Sequence, residues 1–420
     1  MTKFIINAIE DPDTNPFDRQ QLISWWRQDE IASAKVMVVG AGALGNETLK
    51  NLALLGFKNI FIVDFDTIAT SNLSRTVLFR REDKGKIKAE TAAIRTRELS
   101  LTNDVRIDWF HGDVVWELGT GVFRHMDVVL GCLDNAETRF FINRQCWLAQ
   151  TPWIDAGIFE LSGAVSVYVP GTSSCYQCAA TTERIAAARQ RYSCDDYKRE
   201  VVAAGKVATV QVSSAIASAL QVQEAIKLIS GQQAAVGRKI YFQGLTNDFA
   251  VLNYTFNPDC LAHVVYPNVT VLPLSSKSTL REFLTVVSEE NHSGPGSVLD
   301  FRGDRTFLRF APCQKCGGKV ELYKPQFRIS QSEVICSDCK IGKRSRELPQ
   351  TVTLKTPSDT FSLAETEARL LEMTLSDLGV PLLHIVSVVD RNGDYKYYEM
   401  GADRQVLFPN MTRDDAPSFN

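Results

Sequence analysis

Between Lys35 and Asp64 the apolar positions change period twice. KVMVVG (35–40) is an apolar, β-branched run closed by glycine, LGNETLKNLALLG (44–56) has its apolar residues at helical spacing, and NIFIVD (59–64) is a second strand-like run. The spacing predicts strand, glycine turn, helix, strand. A helix over IKAETAAIRTREL (87–99), strands over VRIDWF (105–110) and MDVVLGCLD (126–134), and a helix from Glu137 to Gln150 continue the alternation. Such a pattern predicts an α/β fold with a doubly wound, mainly parallel sheet. After Trp153 to Ala156 the period changes. SGAVSVYV (162–169) alternates like an antiparallel strand, a long helix is predicted over Thr209 to Ile229, and KIYFQG with AVLNYTF reads as a closing hairpin.

A weak boundary falls at Tyr266 to Pro273, and NHSGPGS (291–297) reads as a loop. Beyond it the chain is β-rich, with one helix opened by a capping box of Ser362 and Glu365 and one hairpin turning at Asn392-Gly393. The pattern divides the chain into an arm (1–34), a large α/β unit (35–265) and a β-rich C-terminal unit (266–420).

Composition narrows the class. The 420 residues exceed what one core usually holds, and 45% hydrophobic with 23% charged residues is the balance of a folded globular chain. No run approaches the roughly 18 apolar residues of a membrane span. A net charge of -3 and a pI near 6.0 provide no basic field for nucleic acid or an anionic membrane. The first residues lack a basic stretch and an apolar core, so a cytoplasmic location is expected. Ten cysteines are too few to staple a chain of this size, and six of them form three C-x-x-C pairs, a spacing that suggests metal in a reducing compartment.

The glycine turn is the first candidate for chemistry. Gly40-Ala41-Gly42-Ala43-Leu44-Gly45 joins a strand to a helix, where glycines let backbone amides approach phosphates at the positive helix end. Asp64 closes the second strand, placed to accept ribose hydroxyl bonds. An NAD dehydrogenase would share both features. Arg75 and Lys88 after the second strand, and Asp134 after a later one, argue against hydride transfer. Phosphoryl or nucleotidyl transfer needs cations for developing negative charge and a carboxylate for magnesium.

At this point the chain resembles a family. DRQQLISWW, GAGALGNETLKNLALLGF, IVDFDTIATSNLSRTVLF, GKIKAE, CLDNAETR and CYQC occur in the order typical of ubiquitin-activating enzymes and of the adenylyltransferases of molybdopterin and thiamin biosynthesis, over roughly residues 16–265. The resemblance implies an adenylation domain over 35–265 that uses ATP and magnesium on a ubiquitin-like protein substrate. It implies that Asp64 holds the ribose and that Asn72, Arg75 and Lys88 contact the phosphates, with Gly40, Gly42, Gly45, Asp66 and Asn135 also among the nucleotide-binding residues. Asp134 would organise magnesium, with Arg139 buttressing its loop. Arg19 looks like an arginine inserted into the partner's site, which implies a homodimer. Ala43 departs from the usual glycine of the turn.

Cys175 and Cys178 form a tight knuckle. In the family a second C-x-x-C follows the last strand, whereas here the chain reads NPDCLAH, with Cys260 and His263. A Cys3His zinc site follows from that match, since imidazole can replace a thiolate; a core thiol at Cys260 is the plainer alternative. Cys313, Cys316, Cys336 and Cys339 have zinc-ribbon spacing. Zinc there could hold together a small β unit with little core. Cys132 and Cys146 read as core residues. Cys194, in polar RYSCDDYKRE, lies where related activating enzymes keep a crossover loop with the thioester-forming cysteine. It is the expected nucleophile, against an inert exposed thiol, and it would deliver the acyl group to a conjugating enzyme. A sulfur-carrier adenylyltransferase and a non-catalytic scaffold are the competing readings.

Overall fold

The apolar runs at 35–39 and 59–63 are buried along their whole length apart from Lys35, so each needs cover on both faces. A parallel sheet with crossover helices supplies it. The computed structural model describes residues 15–178, 180–181, 209–290, 298–300, 307–312, 316–329, 333, 360–364, 366–389 and 393–411. Eight strands form the main sheet: β1 (Lys35–Val39), β2 (Asn59–Val63), β3 (Arg106–Phe110), β4 (Val128–Cys132), β5 (Trp153–Phe159), β6 (Ser162–Tyr168), β7 (Arg238–Gln243) and β8 (Asp248–Asn253). Their order is β3-β2-β1-β4-β5-β6-β7-β8. The first five pair in parallel. β6, β7 and β8 continue antiparallel, as the alternation at 162–169 and the 239–256 hairpin predict.

Two short helices, α1 (Asp18–Gln21) and α2 (Gln28–Ser33), precede the sheet. α3 (Ala43–Leu54), α4 (Lys88–Leu99), α5 (Val114–Glu117), α6 (Thr120–Arg124), α7 (Ala136–Ala149) and α8 (Gln211–Ile229) cover it. Strand alternation sorts the core. Val36 and Val38 face a layer with Leu49 and Leu52 of α3, Ala89 and Ala92 of α4, and Ala217 and Val222 of α8. Met37 and Val39 face the opposite layer, with Val114, Phe123, Ile142 and Cys146. Cys132 and Cys146 are both buried, and burial pushes the Cys132 thiol up to about 12.

The C-terminal part builds a second sheet from β9 (Thr270–Leu272), β10 (Val298–Asp300), β13 (Thr360–Phe361), β14 (Ile385–Val389) and β15 (Tyr395–Met400), in the order β13-β10-β14-β15-β9. A separate two-stranded ladder pairs β11 (Phe307–Pro312) with β12 (Lys319–Pro325). Among the described residues three further helices follow, α9 (Leu280–Glu290), α10 (Ala368–Leu371) and α11 (Arg404–Leu407). β14 and β15 form the expected hairpin, with Gly393 at φ +87° in its turn.

Three expectations change here. The unit is not poor in core, since Leu272, Leu280, Phe283, Leu284, Leu370, Leu375, Val388 and Tyr398 pack together. α9 was not expected from the pattern, although Thr279 and Glu282 carry a reciprocal capping box: Thr279 N donates to Glu282 Oε2 at 2.8 Å and Glu282 N to Thr279 Oγ1 at 3.2 Å. The helix expected to open at Ser362 instead begins after Glu367, because Ser362 N donates to the Thr366 hydroxyl at 2.9 Å and closes a turn.

The C-terminal part also packs into the main one. Leu383, Leu407, Phe408 and Met411 join the core layer under β1 and β2. Fully buried Glu399 accepts from Arg124 Nη1 at 3.1 Å and meets His125 Nε2 at 2.6 Å. Among the described residues no helix is long and apolar enough to cross a membrane.

Candidate functional site

The carboxyl ends of β1, β2 and β4 flank the point where the strand order reverses, the usual ligand crevice of an open α/β sheet. Gly40 follows β1 with φ +98°, and a Cβ there would lie 2.3 Å from the Cys132 carbonyl oxygen at the end of β4. A Cβ on Gly45 would lie 1.9 Å from the Gly40 oxygen. The fold itself therefore demands glycine at these two positions. Gly42, the N-cap of α3, has no atom of the described residues within 4 Å of where its Cβ would stand. Its glycine is not required by packing and leaves the helix amides open to a ligand.

Asp64, just past β2, accepts from Ala41 N and from Asp66 N, both at 2.7 Å, which ties it to the glycine turn. Burial raises its pKa against the pull of Lys88, and the Asp66 charge adds to the rise. Lys88 opens α4 and is buried at 8% exposure, with Nζ 2.8 Å from Asp66 Oδ2. Burial alone would favour its neutral amine. Asp64, Asp66 and Asp134 outweigh that and hold the pKa above the ordinary lysine value. Asp134 therefore lies within electrostatic reach of Lys88, although it comes from a different strand end.

Asp134 is exposed past β4 and accepts from Asn135 Nδ2 at 3.2 Å. The Asn135 oxygen caps α7 by accepting from Thr138 N at 2.8 Å. Arg139 fastens this loop from below: Nη2 donates to Leu133 O at 2.7 Å, and Nε to both Asp155 carboxylate oxygens at 2.9 Å. Asn72 closes a single helical turn by accepting from Ala69 N at 2.8 Å, and Arg75 Nη1 donates to Ser71 O at 2.8 Å. Asn46, which the sequence reading passed over, bonds both the glycine turn and the segment bearing Asn72 and Arg75.

Arg19 is exposed on α1 and is not brought to this crevice. Its neighbour Phe17 packs at Gly56, beyond the far end of α3 from the glycine turn. Twelve helical residues separate those ends by about 18 Å. A cavity of about 650 Å³ opens by the amino end of β1, lined by Lys35, His125, Arg404 and Phe408. Lys35 begins β1 whereas Gly40 follows its end, so this cavity is remote from the residues above.

Cys175, Cys178, Cys260 and His263 converge, with their ligand atoms all within 4.8 Å of one another. Cys175 Sγ lies 3.7 Å from both Cys178 Sγ and Cys260 Sγ, and Cys178 Sγ lies 3.3 Å from His263 Nε2. Two sulfurs each about 2.3 Å from a tetrahedral zinc are about 3.8 Å apart, whereas a disulfide needs about 2.05 Å. The donor set therefore fits a four-coordinate metal and no disulfide. Trp147 and Phe256 stack on the two sides of His263, at 4.0 and 5.0 Å between centroids, and hold the ring in place. Desolvation lowers the His263 pKa, favouring the neutral imidazole a metal needs.

Cys194, Cys313, Cys336 and Cys339 lie outside the described residues. Cys316 is exposed at the end of the β11–β12 ladder and accepts from Gly318 N at 3.4 Å.

Residues 17–262 match the ThiF family. The chain belongs to that family. SUMO-activating enzyme subunit 2 of Dictyostelium discoideum is 42% identical over 151 residues, which is 36% of this chain and 22% of that protein. SUMO-activating enzyme subunit uba-2 of Caenorhabditis elegans is 38% identical over 157 residues, 36% of this chain and 26% of that one. Adenylyltransferase and sulfurtransferase MOCS3-1 of Zea mays is 28% identical over 303 residues, 66% of this chain and 61% of the maize protein. The chain thus spans about a quarter of the length of the first two relatives. E. coli MccB, solved with ATP, superposes with a TM-score of 0.51 at 23% identity over 61% of this chain and 75% of MccB, a likeness of fold.

Proposed function

We propose that this chain uses ATP to adenylate the C-terminal carboxylate of a ubiquitin-like protein and then carries the acyl group as a thioester on Cys194 toward a conjugating enzyme. The observation that carries the reading is the placement of Asp64 and Asp66 past β2, Lys88 at the head of α4 and Asp134 past β4, within electrostatic reach of Lys88, beside a glycine turn whose Gly42 is open. A dinucleotide oxidoreductase has no use for Lys88 and Asp134 at that place. The family membership and the relatives' names support the adenylation step.

In this reading Asp64 holds the ribose hydroxyls. The turn at Gly40, Gly42 and Gly45, with Asn72, Arg75 and Lys88, binds the phosphates, and Asp66 keeps Lys88 in position. Magnesium would be held by Asp134 beside Asn135 and would neutralise phosphate charge. A carboxylate oxygen of the substrate attacks the α-phosphorus, the bond to the pyrophosphate oxygen breaks, and pyrophosphate leaves. The Cys194 thiolate then attacks the acyl carbon and AMP departs.

Arg19 acts in the partner's site of a homodimer, which its distance from its own glycine turn supports. Cys175, Cys178, Cys260 and His263 hold structural zinc, and Cys313, Cys316, Cys336 and Cys339 a second ion in a C-terminal ribbon. The division at 34/35 and 265/266 belongs to the same proposal.

Pyrophosphate exchange with a small protein ending in glycine tests adenylation, and its absence across candidate substrates refutes it. A reductant-sensitive band in wild type that Cys194→Ser lacks, with exchange intact, establishes the thioester. The greater coverage of the maize relative favours one alternative, a sulfur-carrier adenylyltransferase, which predicts exchange without any thioester.

A further inference from the structure

Asn46 sits one residue past the last glycine of the turn, on the buried face of α3, and is fully buried. Its carboxamide spends every group on two pieces of backbone. Nδ2 donates to Ala41 O at 2.8 Å and to Gly42 O at 3.0 Å, and Oδ1 accepts from Leu78 N at 3.0 Å. Ala41 and Gly42 are the turn itself. Leu78 ends the segment on which Asn72 and Arg75 lie, and Arg75 N donates to Asn72 O at 3.0 Å within it. Asp64 holds the same turn from the other side, through Ala41 N.

We propose that Asn46 is a positioning residue that yokes the glycine turn to the Asn72–Leu78 segment, so that the amides at the head of α3 and the Arg75 cation are presented to phosphate as one fixed receptor. It rests on the reading of this crevice as the nucleotide site. A carboxamide is suited to the task because it donates to two carbonyls while accepting from an amide, which hydroxyl, thiol and carboxylate side chains cannot do at once. A residue serving only to fill the core would be apolar, since a buried carboxamide without partners is costly. Thr48 provides the comparison. It lies two residues further along α3, is also fully buried, donates to Gln221 Oε1 at 3.0 Å in α8 and meets Cys132 Sγ at 3.6 Å, but bonds neither the turn nor the Leu78 amide.

The test is calorimetric binding of magnesium ATP to wild type, Asn46→Asp and Thr48→Val at about pH 8 and about pH 5.5, chosen because a carboxyl buried without a cation titrates above its ordinary range. Ionised, the new carboxylate of Asn46→Asp faces the Ala41 and Gly42 carbonyls, with Asp64 beyond Ala41 and Glu47 next along the helix. Protonated, it regains one donor and keeps the bond from Leu78. Losing bonds that leave buried partners unsatisfied weakens ATP roughly ten- to hundredfold at the higher pH. Relative to wild type the loss shrinks at the lower pH. Thr48→Val lowers the melting temperature and leaves the ATP affinity within about twofold, since Thr48 bonds neither the turn nor the Leu78 amide.

Asn46→Asp equal to wild type at both pH values overturns the inference, as does an equal loss in Thr48→Val. Should Asn46→Asp fail to fold, Asn46→Ala removes the same bonds without a charge. A loss of roughly tenfold or more, independent of pH, then supports the role, and wild-type affinity overturns it. Wild type that binds no ATP at all refutes the nucleotide reading itself, and the inference with it.

Discussion

Replacing Lys88 by methionine keeps the volume of the side-chain stem and removes one charge from among Asp64, Asp66 and Asp134. Two consequences compete. In the free protein Lys88 is paired with Asp66 at 2.8 Å, but the Asp66 side chain is 51% exposed, so water screens the pair. Such a pair is worth about 1 kcal/mol or less. A hydrogen bond from a buried ammonium to a phosphate oxygen is worth about 1.5–3 kcal/mol. On the proposed assignment phosphate therefore outcompetes Asp66 for Lys88, and the substitution falls mainly on the ligand.

Lys88→Met should weaken magnesium ATP by roughly 10- to 150-fold, at 1.4 kcal/mol per tenfold, with the three carboxylates left to repel the phosphates. Asp66→Asn, which merely releases Lys88, should change the affinity by less than about fivefold, in either direction. Titration calorimetry measures both, with thermal melting as the control for folding. Lys88→Met within about twofold of wild type, or Asp66→Asn as damaging as Lys88→Met, would refute the assignment of Lys88 to the phosphates.

Asp134→Ala should abolish pyrophosphate exchange in a folded protein; near-normal exchange removes Asp134 from the site. Arg19→Ala should lose roughly 10³-fold or more in rate by analogy with arginine fingers that act in trans. Mixing it with Asp134→Ala under subunit exchange should restore one working site, and no recovery counts against action between subunits. Metal analysis should find two zinc ions per chain, with Cys260→Ser removing one of them; two ions retained in that variant places the first site elsewhere. Glu399→Gln leaves His125 and Arg124 without their buried anion and should cost about 3–5 kcal/mol. Burial alone would raise the Glu399 pKa, but the His125 bond and the His125 and Arg124 charges hold it below the ordinary glutamate value. The stabilisation it provides is therefore present above the unfolded pKa of about 4.3 and is lost as pH falls through the lower folded value. Wild type and Glu399→Gln should melt apart near neutrality and converge in acid, and parallel melting curves at all pH values would count against it.

What could be read from the sequence was whatever a local pattern enforces. The main sheet was legible because 35–39 and 59–63 have to be covered on two faces, and the 162–169 alternation exposed its antiparallel continuation. Gly40 was legible from the glycine motif between a strand and a helix, and the convergence of Cys175 and Cys178 with Cys260 and His263 from the spacing of each pair. α9 was legible in principle from the capping-box spacing of Thr279 and Glu282. The Glu399–His125 contact joins residues 274 positions apart and leaves no mark in either neighbourhood. Asn46 falls between these cases. Its neighbours show a helix, and an asparagine on the helix face turned to the core is locally unfavourable. That conflict between local preference and burial is itself a signal, because a buried carboxamide has to find partners. It shows that something polar must be nearby, while only the fold shows that the partners are the glycine turn and the Leu78 amide. Gly42 gives the converse. The sequence marked it with Gly40 and Gly45, and only the structure separates it from them: two of the glycines satisfy the fold, and the third leaves space that no described residue fills.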